Sequence, residues 1–166
     1  GRHDHSVAPA DDGGMMAKVR LQQEPFSPGT ELDAFTAAAQ GVGAIVSFTG
    51  VLRSTVEDPV AEMVIEHYAE LARSAIEEFV AAATQRFAVT DLRDIHRFGR
   101  ILPNEPIMLV LSSARHRADA FAAAEYLMDW LKTDAPFWKC ETRPNGHMNW
   151  VEPREVDDAA RSRWNE

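Results

Sequence analysis

The sequence LKTDAPFWK, residues 131–139, joins a predicted helix to a predicted strand and carries two lysines seven positions apart. Lys132 closes the helix, and Lys139 follows a proline, a phenylalanine and a tryptophan that form a rigid apolar wall. Contact with such a wall removes water from an amine and disfavours its charged form, which suits proton transfer or nucleophilic chemistry. The alternative interpretation is that Lys132 only compensates the negative end of the helix dipole and that Lys139 solvates a strand.

Helices and strands alternate irregularly on both sides of this segment. Apolar side chains recur at helical spacing over residues 31–40, with Thr30 as the N-cap, and over residues 70–87 and 117–132. Short β-rich runs predict strands over residues 17–22, 44–49, 62–68, 91–98, 106–112, 137–142 and 148–151. Because the strands come in hairpin-like pairs, the pattern favours an α+β fold over a doubly wound parallel sheet.

Several of these elements have features that can be checked individually. Residues 107–111 are apolar throughout, which predicts a central strand. The helix over residues 117–132 has an apolar stripe that includes Phe121 and Met128. A strong turn signal, Pro-Asn-Gly at residues 144–146, predicts that the last two strands form a hairpin, and residues 155–164 predict a polar terminal helix.

The chain length of 166 residues fits one domain with a substantial core and is too short for two ordinary domains. Residues 1–14 are polar and rich in glycine and aspartate, and a pair of methionines follows them. We therefore expect residues 1–16 to be a disordered tail or a tag remnant, and residues 17–166 to form the single domain.

Charge and composition argue against several classes of function. The net charge is −9, from 26 acidic and 17 basic residues, whereas proteins that bind nucleic-acid backbones present a basic face. No apolar run approaches the roughly 20 residues that span a bilayer, and the N-terminus lacks a signal pattern, so we expect a cytoplasmic protein that binds no membrane. One cysteine, Cys140, and six scattered histidines predict no disulfide, no metal site and no cofactor.

Three basic residues lie where an anion could bind. Arg53 follows a predicted buried strand, and its guanidinium could hold an anionic group with two hydrogen bonds. His116 and Arg117 begin a predicted helix, whose backbone amides and dipole favour an anion. Each of the three can also be interpreted as a solvated surface charge.

Five motifs occur in one order along the chain: FTGVLRS (48–54), IEHY (65–68), IHRFG (95–99), the His116-Arg117 pair, and LKTDAPFWK (131–139) followed by Glu141. Together they resemble the large, catalytic subunit of molybdopterin synthase, the MoaE family, over nearly the whole chain. The resemblance implies an α/β-hammerhead arrangement with a mixed or antiparallel sheet, two main helices and a C-terminal helix.

The resemblance also implies an activity, sulfur transfer in the biosynthesis of the molybdenum cofactor. A small ubiquitin-like partner subunit would present a C-terminal Gly-Gly thiocarboxylate. Two sulfurs would pass in turn to cyclic pyranopterin monophosphate, opening the cyclic phosphate and forming the dithiolene of molybdopterin. The implied assembly is a heterotetramer, in which a central homodimer carries one small subunit at each end.

The resemblance assigns roles to the basic residues. Lys132 matches the main catalytic lysine, and Lys139 matches a lysine that supports it. The residues that match the lining of the pocket for the phosphate-bearing pterin are Arg53, His116 and Arg117.

Three further residues match positions around the same pocket. Arg154, in the sequence WVEPRE, matches an arginine that reaches into the neighbouring protomer's site. Phe48 and Met128 match apolar residues of the pocket, although ordinary core packing explains them equally well.

Two other functions remain as alternatives. A cysteine enzyme could use Cys140 as a sulfur relay, but adjacent residues of a strand point to opposite faces, so Lys139 and Cys140 cannot line one pocket. A non-catalytic binding module for a ubiquitin-like C-terminal tail would use the same basic pocket and apolar groove. The two lysines together with the His-Arg pair favour catalysis.

Overall fold

The computed structural model describes residues 18–67, 69–133 and 137–151, together with Ser162 and Trp164. The strands are β1 (Val19–Gln22), β2 (Ala44–Val51), β3 (Glu62–His67), β4 (Val89–Arg97), β5 (Gly99–Ile101), β6 (Pro106–Ala114), β7 (Phe137–Thr142) and β8 (Met148–Val151). The helices are α1 (Pro28–Ala38), α2 (Ala69–Arg86) and α3 (Arg117–Thr133). The predicted tail over residues 1–16 lies outside the described residues, as does the predicted helix over 155–164 apart from Ser162 and Trp164.

The first sheet has the strand order β1-β4-β6-β2. β1 runs parallel to β4, whereas β6 runs antiparallel to both of its neighbours. β6 therefore lies in the interior of the sheet, and its residues 108–114 are buried. The prediction of a central strand over residues 107–111 is confirmed.

Helices cover both faces of the first sheet. Side chains alternate between the two faces along each strand, so each strand contributes residues to the packing on both sides. On one face, α1 packs over Leu109 and Leu111 of β6. On the other face, α2 and α3 pack over Met108 and Val110. The core on the α2 and α3 side is the larger of the two.

The start of α1 differs from the predicted one. The helix begins at Pro28, and its N-cap is Ser27, whose side-chain oxygen accepts a hydrogen bond from the Thr30 backbone N–H at 3.3 Å. Proline suits the first turn of a helix, since its φ angle is already helical and its missing N–H would have no partner there. The prediction that Thr30 is the cap is therefore wrong.

The second sheet has the strand order β5-β3-β7-β8, with every pair antiparallel. The predicted β7–β8 hairpin is confirmed, and Gly146 in its turn has a φ of 86°, which favours glycine. β5 is a strand that the sequence pattern does not reveal, because three residues are too few to show a period. It begins at Gly99, where the chain passes from the first sheet to the second.

The two sheets meet at Phe137, the first residue of β7. The core of the second sheet consists of Leu52, Val60, Met63, Ile65 and Ile101. Phe137 packs against this core and also against the core beneath α2 and α3. These helices and largely antiparallel sheets confirm the α+β fold class. Within the described ranges, no helix has the length and apolar character needed to cross a membrane.

Asp94 on β4 is a buried carboxyl group in the core beneath α2 and α3. Its side chain is 1% exposed, and it lies in register with Val19 and Val110. Neither of its oxygens has a hydrogen-bond partner among the described residues. Burial removes the hydration that the charged form needs and raises the pKa of Asp94 to about 8. The group is therefore protonated at neutral pH.

Candidate active site

The two lysines of LKTDAPFWK lie on different elements and are buried to different degrees. Lys132 lies in the last turn of α3, where its charge compensates the negative end of the helix dipole. Its side chain is exposed, in contrast to the partial loss of hydration expected from the sequence. The helix ends one residue later at Thr133, whose hydroxyl donates to the Asp129 carbonyl at 2.9 Å.

Lys139 lies in the middle of β7 and is half-buried. It is directly opposite Ile65 of β3, which is 1% exposed. Because residues two apart on a strand share a face, Lys139 also lies on the same face as Phe137. The predicted partial burial beside an apolar wall therefore holds for Lys139.

Cys140 occupies the opposite face of β7, as the strand alternation predicts. It is 5% exposed and faces Trp150 across the β7–β8 pair. This geometry disfavours a site that uses Cys140 and Lys139 together. Among the described residues, no group of three or more histidine, cysteine or acidic side chains could hold a metal ion.

α3 lies between α2 and the edge strand β2. Trp130 of α3 stacks on Phe79 of α2, with ring centroids 5.6 Å apart, and α3 also packs against β2 and β6. The side of α3 away from Trp130 carries a line of residues four or seven positions apart, which share one side of a helix. These are the exposed residues Arg117, Phe121 and Lys132 and the partly buried Met128.

Phe48 of β2 lies on the same side of the first sheet as this line. It is opposite Val110, whose side chain belongs to the core beneath α3. Phe48 is 40% exposed, Met128 is partly buried, and Phe121 is 59% exposed, so the prediction that Phe121 belongs to the buried stripe is wrong. We call Phe48, Phe121 and Met128 the α3–β2 strip. Its apolar surface next to charged residues suits an extended ligand.

Arg53 is exposed and lies just beyond the end of β2. The backbone there is fixed by Leu52, whose N–H donates to the Glu105 carbonyl at 3.0 Å and whose carbonyl accepts from Asn104 N–H at 2.8 Å. β2 is antiparallel to β6, and α3 returns across the sheet after β6. The ends of β2 and α3 therefore lie at the same end of the first sheet, and this brings Arg53 toward Lys132.

His116 and Arg117 are exposed at the start of α3, at the other end of the sheet. The His116 carbonyl accepts the first helical hydrogen bond, from Ala120 N–H at 3.4 Å. At a rise of about 1.5 Å per residue, Arg117 and Lys132 are about 22 Å apart along the helix axis. One chain therefore does not bring the His-Arg pair to its own lysines. Arg154 lies outside the described residues.

A family model described as MoaE protein matches residues 21–134 of the chain. The chain belongs to the MoaE family. The matched residues include Arg53, His116, Arg117 and Lys132, and the family resemblance drawn from the five motifs is confirmed.

Individual MoaE relatives match across almost their whole length. The chain is 48% identical over 147 residues to the molybdopterin synthase catalytic subunit of Cereibacter sphaeroides, a match that covers 89% of this chain and 99% of the relative. The solved structure of a molybdopterin biosynthesis MoaE protein from Burkholderia ambifaria superposes with a TM-score of 0.76 at 43% identity, covering 91% of this chain and 99% of that one. The crystal structure of molybdopterin synthase from Staphylococcus aureus superposes with a TM-score of 0.73 at 25% identity, and the match covers 82% of this chain and 98% of that one.

Proposed function

We propose that this chain is the catalytic subunit of a molybdopterin synthase. The chain transfers sulfur from the C-terminal thiocarboxylate of a small ubiquitin-like subunit to cyclic pyranopterin monophosphate. Two transfers build the dithiolene of molybdopterin. The observation that carries the proposal is the 48% identity to a molybdopterin synthase catalytic subunit over 99% of that relative's length.

The lysines supply the fixed positive charge that sulfur transfer needs. The reaction develops negative charge at the partner's terminal carbonyl group and at the substrate's phosphate, and a fixed cation stabilises both. Lys139 is held on β7 against apolar neighbours, whereas Lys132 extends from the end of α3. We assign Lys132 as the main catalytic lysine and Lys139 as its support, with Arg53 binding the phosphate of the pterin.

The α3–β2 strip supports a role in binding the partner's tail. A Gly-Gly C-terminus has no side chains and can pass close to the aromatic rings of Phe48 and Phe121, with Met128 beside it. The strip ends at Lys132, so a tail lying along it would bring its terminal thiocarboxylate to the lysine. The relative's description as a catalytic subunit is consistent with a second chain that supplies this tail.

We further propose that two copies of the chain share their active sites. His116 and Arg117 lie too far from Lys132 of their own chain to bind the same small substrate, so we assign them, with Arg154, to the site of a second copy. The second sheet offers a surface for such a homodimer. Its outer face carries three large exposed side chains, Trp138, Met148 and Trp150, at 60%, 64% and 60% exposure.

Mixing two inactive variants tests the shared site. Lys132→Ala and Arg117→Ala subunits are purified separately and then allowed to exchange. If sites are shared, half of the dimers are mixed and each contains one intact site, so activity returns to roughly a quarter of the wild-type value. Confirmed exchange with no recovery of activity would place both residues in one protomer's site.

A non-catalytic module that only captures the tail is the second candidate, because the same strip and cations serve that role. Incubation of the purified chain with thiocarboxylated partner and pterin precursor separates the two. Formation of molybdopterin with repeated turnover supports the enzyme. Tail binding without any product would establish the module and overturn the proposed synthase function.

A further inference from the structure

His96 is a buried histidine at the junction of the two sheets. It lies near the end of β4 in the first sheet and is 2% exposed. Its neighbours in register are Leu21 of β1 and Met108 of β6, so it faces the core beneath α2 and α3. The candidate site described above does not use it.

The His96 ring stacks on Phe137, the first residue of β7. The ring centroids are 4.0 Å apart and the planes are inclined by 14°, a close, nearly parallel contact. A second contact is at the edge of the ring, where Nδ1 lies 3.0 Å from the Arg97 carbonyl oxygen. A carbonyl only accepts hydrogen bonds, so Nδ1 carries a proton and donates. Both contacts together fix the plane of the ring.

Phe137 connects the His96 contact to the strand that carries Lys139. It follows the end of α3 at Thr133 by only four residues, and it precedes Lys139 by two residues on the same face of β7. If Phe137 moves with its strand, Lys139 on the same face of β7 moves with it. An error of about 1 Å in such a placement can cost on the order of a hundredfold in rate.

We infer that His96 is a positioning residue for the lysine pair: its ring clamps Phe137 and so sets the place of Lys139. This inference rests on the proposed sulfur transfer. A residue that only fills the core could be replaced by any apolar side chain of similar volume. A clamp needs a flat ring parallel to Phe137, so His96→Phe should preserve function and His96→Leu should not.

The first experiment measures single-turnover sulfur transfer in a double-mutant cycle of His96→Leu and Lys139→Ala. We expect His96→Leu to lower the single-turnover rate constant by about tenfold with unchanged precursor affinity, and to have no further effect when Lys139 is already alanine. His96→Phe should stay within about twofold of the wild type. An equal loss from His96→Leu in both backgrounds would show a general structural effect and overturn the inference.

A matched control tests whether the loss of any aromatic contact is enough to slow sulfur transfer. Phe87 packs edge-on against Tyr126, with centroids 5.7 Å apart, at the other end of α2 from the site. Phe87→Leu should lower thermal stability while leaving kcat unchanged. If His96→Leu does not fold, His96→Met replaces it, since methionine adapts to irregular spaces but presents no ring.

The second experiment does not depend on activity, so it separates failure of this inference from failure of the proposed function. The chain has only three lysines, Lys18, Lys132 and Lys139, so methyl-¹³C labelling of the amines gives three resolvable side-chain NMR signals beside the N-terminus. Lys18 pairs with Asp91 at 2.8 Å on the α1 side and serves as the internal reference. His96→Leu should shift the Lys139 signal and leave the Lys18 signal in place. An unchanged Lys139 signal would overturn the clamp even if the enzyme proves active.

Discussion

The two lysines of the candidate site are not equivalent in their surroundings. Lys139 has Ile65 opposite it and Phe137 on its face, whereas Lys132 is exposed at the end of α3. The motif places both residues in the sequence, but exposure depends on what packs over the helix end. That information comes from the tertiary packing of the second sheet, and the spacing of residues in the motif does not contain it.

Phe121 also shows that local spacing does not determine the exposure of a side chain. It lies at helical spacing with the buried residues of α3, and periodicity alone assigns it to the core. The core lies beneath the other side of the helix, because α2 and the sheet approach from there, and Phe121 is left 59% exposed. Phe121 therefore adds exposed apolar surface to the α3–β2 strip.

Asp94 predicts an unusual pH dependence of stability. The pKa of about 8 keeps this carboxyl protonated up to about pH 8 in the folded chain, whereas the unfolded chain loses the proton above the ordinary aspartate pKa of 3.8. The unfolded state thus binds fewer protons in this window, so the free energy of unfolding falls by up to about 1.4 kcal/mol for each pH unit between about 4 and 8.

Urea unfolding from pH 5 to pH 8 checks this prediction against Asp94→Asn. The asparagine variant has nearly the same shape and no ionisable group, so its stability should fall less with pH and exceed that of the wild type at pH 8. Parallel pH profiles for the two proteins would show that Asp94 is ionised in the fold.

Elements with a strong local signal could be predicted from the sequence, whereas β5 could not. Residues 107–111 are apolar throughout and lie in the central strand β6, and the β7–β8 hairpin forms around its predicted turn. β5 has three residues, and its place is set by pairing with β3 rather than by its own sequence. The cap of α1 could have been found from Pro28, which marks the first helical turn.

Trp164 links the end of the chain to the pair of long helices. Its ring packs edge-on against Phe87 and Tyr126 at 5.7 and 5.5 Å, and its indole N–H donates to Asp129 at 2.5 Å. Arg86 of α2 lies over the same ring at 5.5 Å and donates to the Trp164 carbonyl at 2.6 Å. These contacts join α2 and α3 through Trp164.

We therefore expect Trp164→Ala to destabilise the fold by about 3 kcal/mol, since it removes a large packed side chain and leaves its partners exposed. Trp164→Phe keeps part of the ring contact and should cost less. Chemical denaturation of the three proteins gives the comparison. A loss below about 0.5 kcal/mol for the alanine variant would mean that the contact contributes little, as surface substitutions do.

The outer face of the second sheet determines how the proposed homodimer would form. Trp150 lies on β8, the edge strand of the order β5-β3-β7-β8, beside Trp138 and Met148. A cluster of exposed aromatic side chains at a sheet edge is typical of an interface, and a charge placed within it opposes association.

Trp150→Glu should therefore shift the protein from dimer to monomer at micromolar concentration, as measured by sedimentation. Leu71→Glu is the matched control, because Leu71 is a similarly exposed apolar side chain, at 57%, on α2 rather than on the second sheet. Equal sedimentation of Trp150→Glu and the wild type would exclude this face as the interface.

The central claim is that this chain moves sulfur and that Lys132 is the group on which the transfer depends. The direct measurement is single-turnover formation of molybdopterin from thiocarboxylated partner and pterin precursor, by wild type, Lys132→Ala and Lys18→Ala. Loss of a fixed cationic stabiliser should slow Lys132→Ala by on the order of a hundredfold or more, with its fold and partner affinity retained, while Lys18→Ala stays at the wild-type rate. A Lys132→Ala rate within about threefold of the wild type would contradict the assignment, since removal of such a group costs far more.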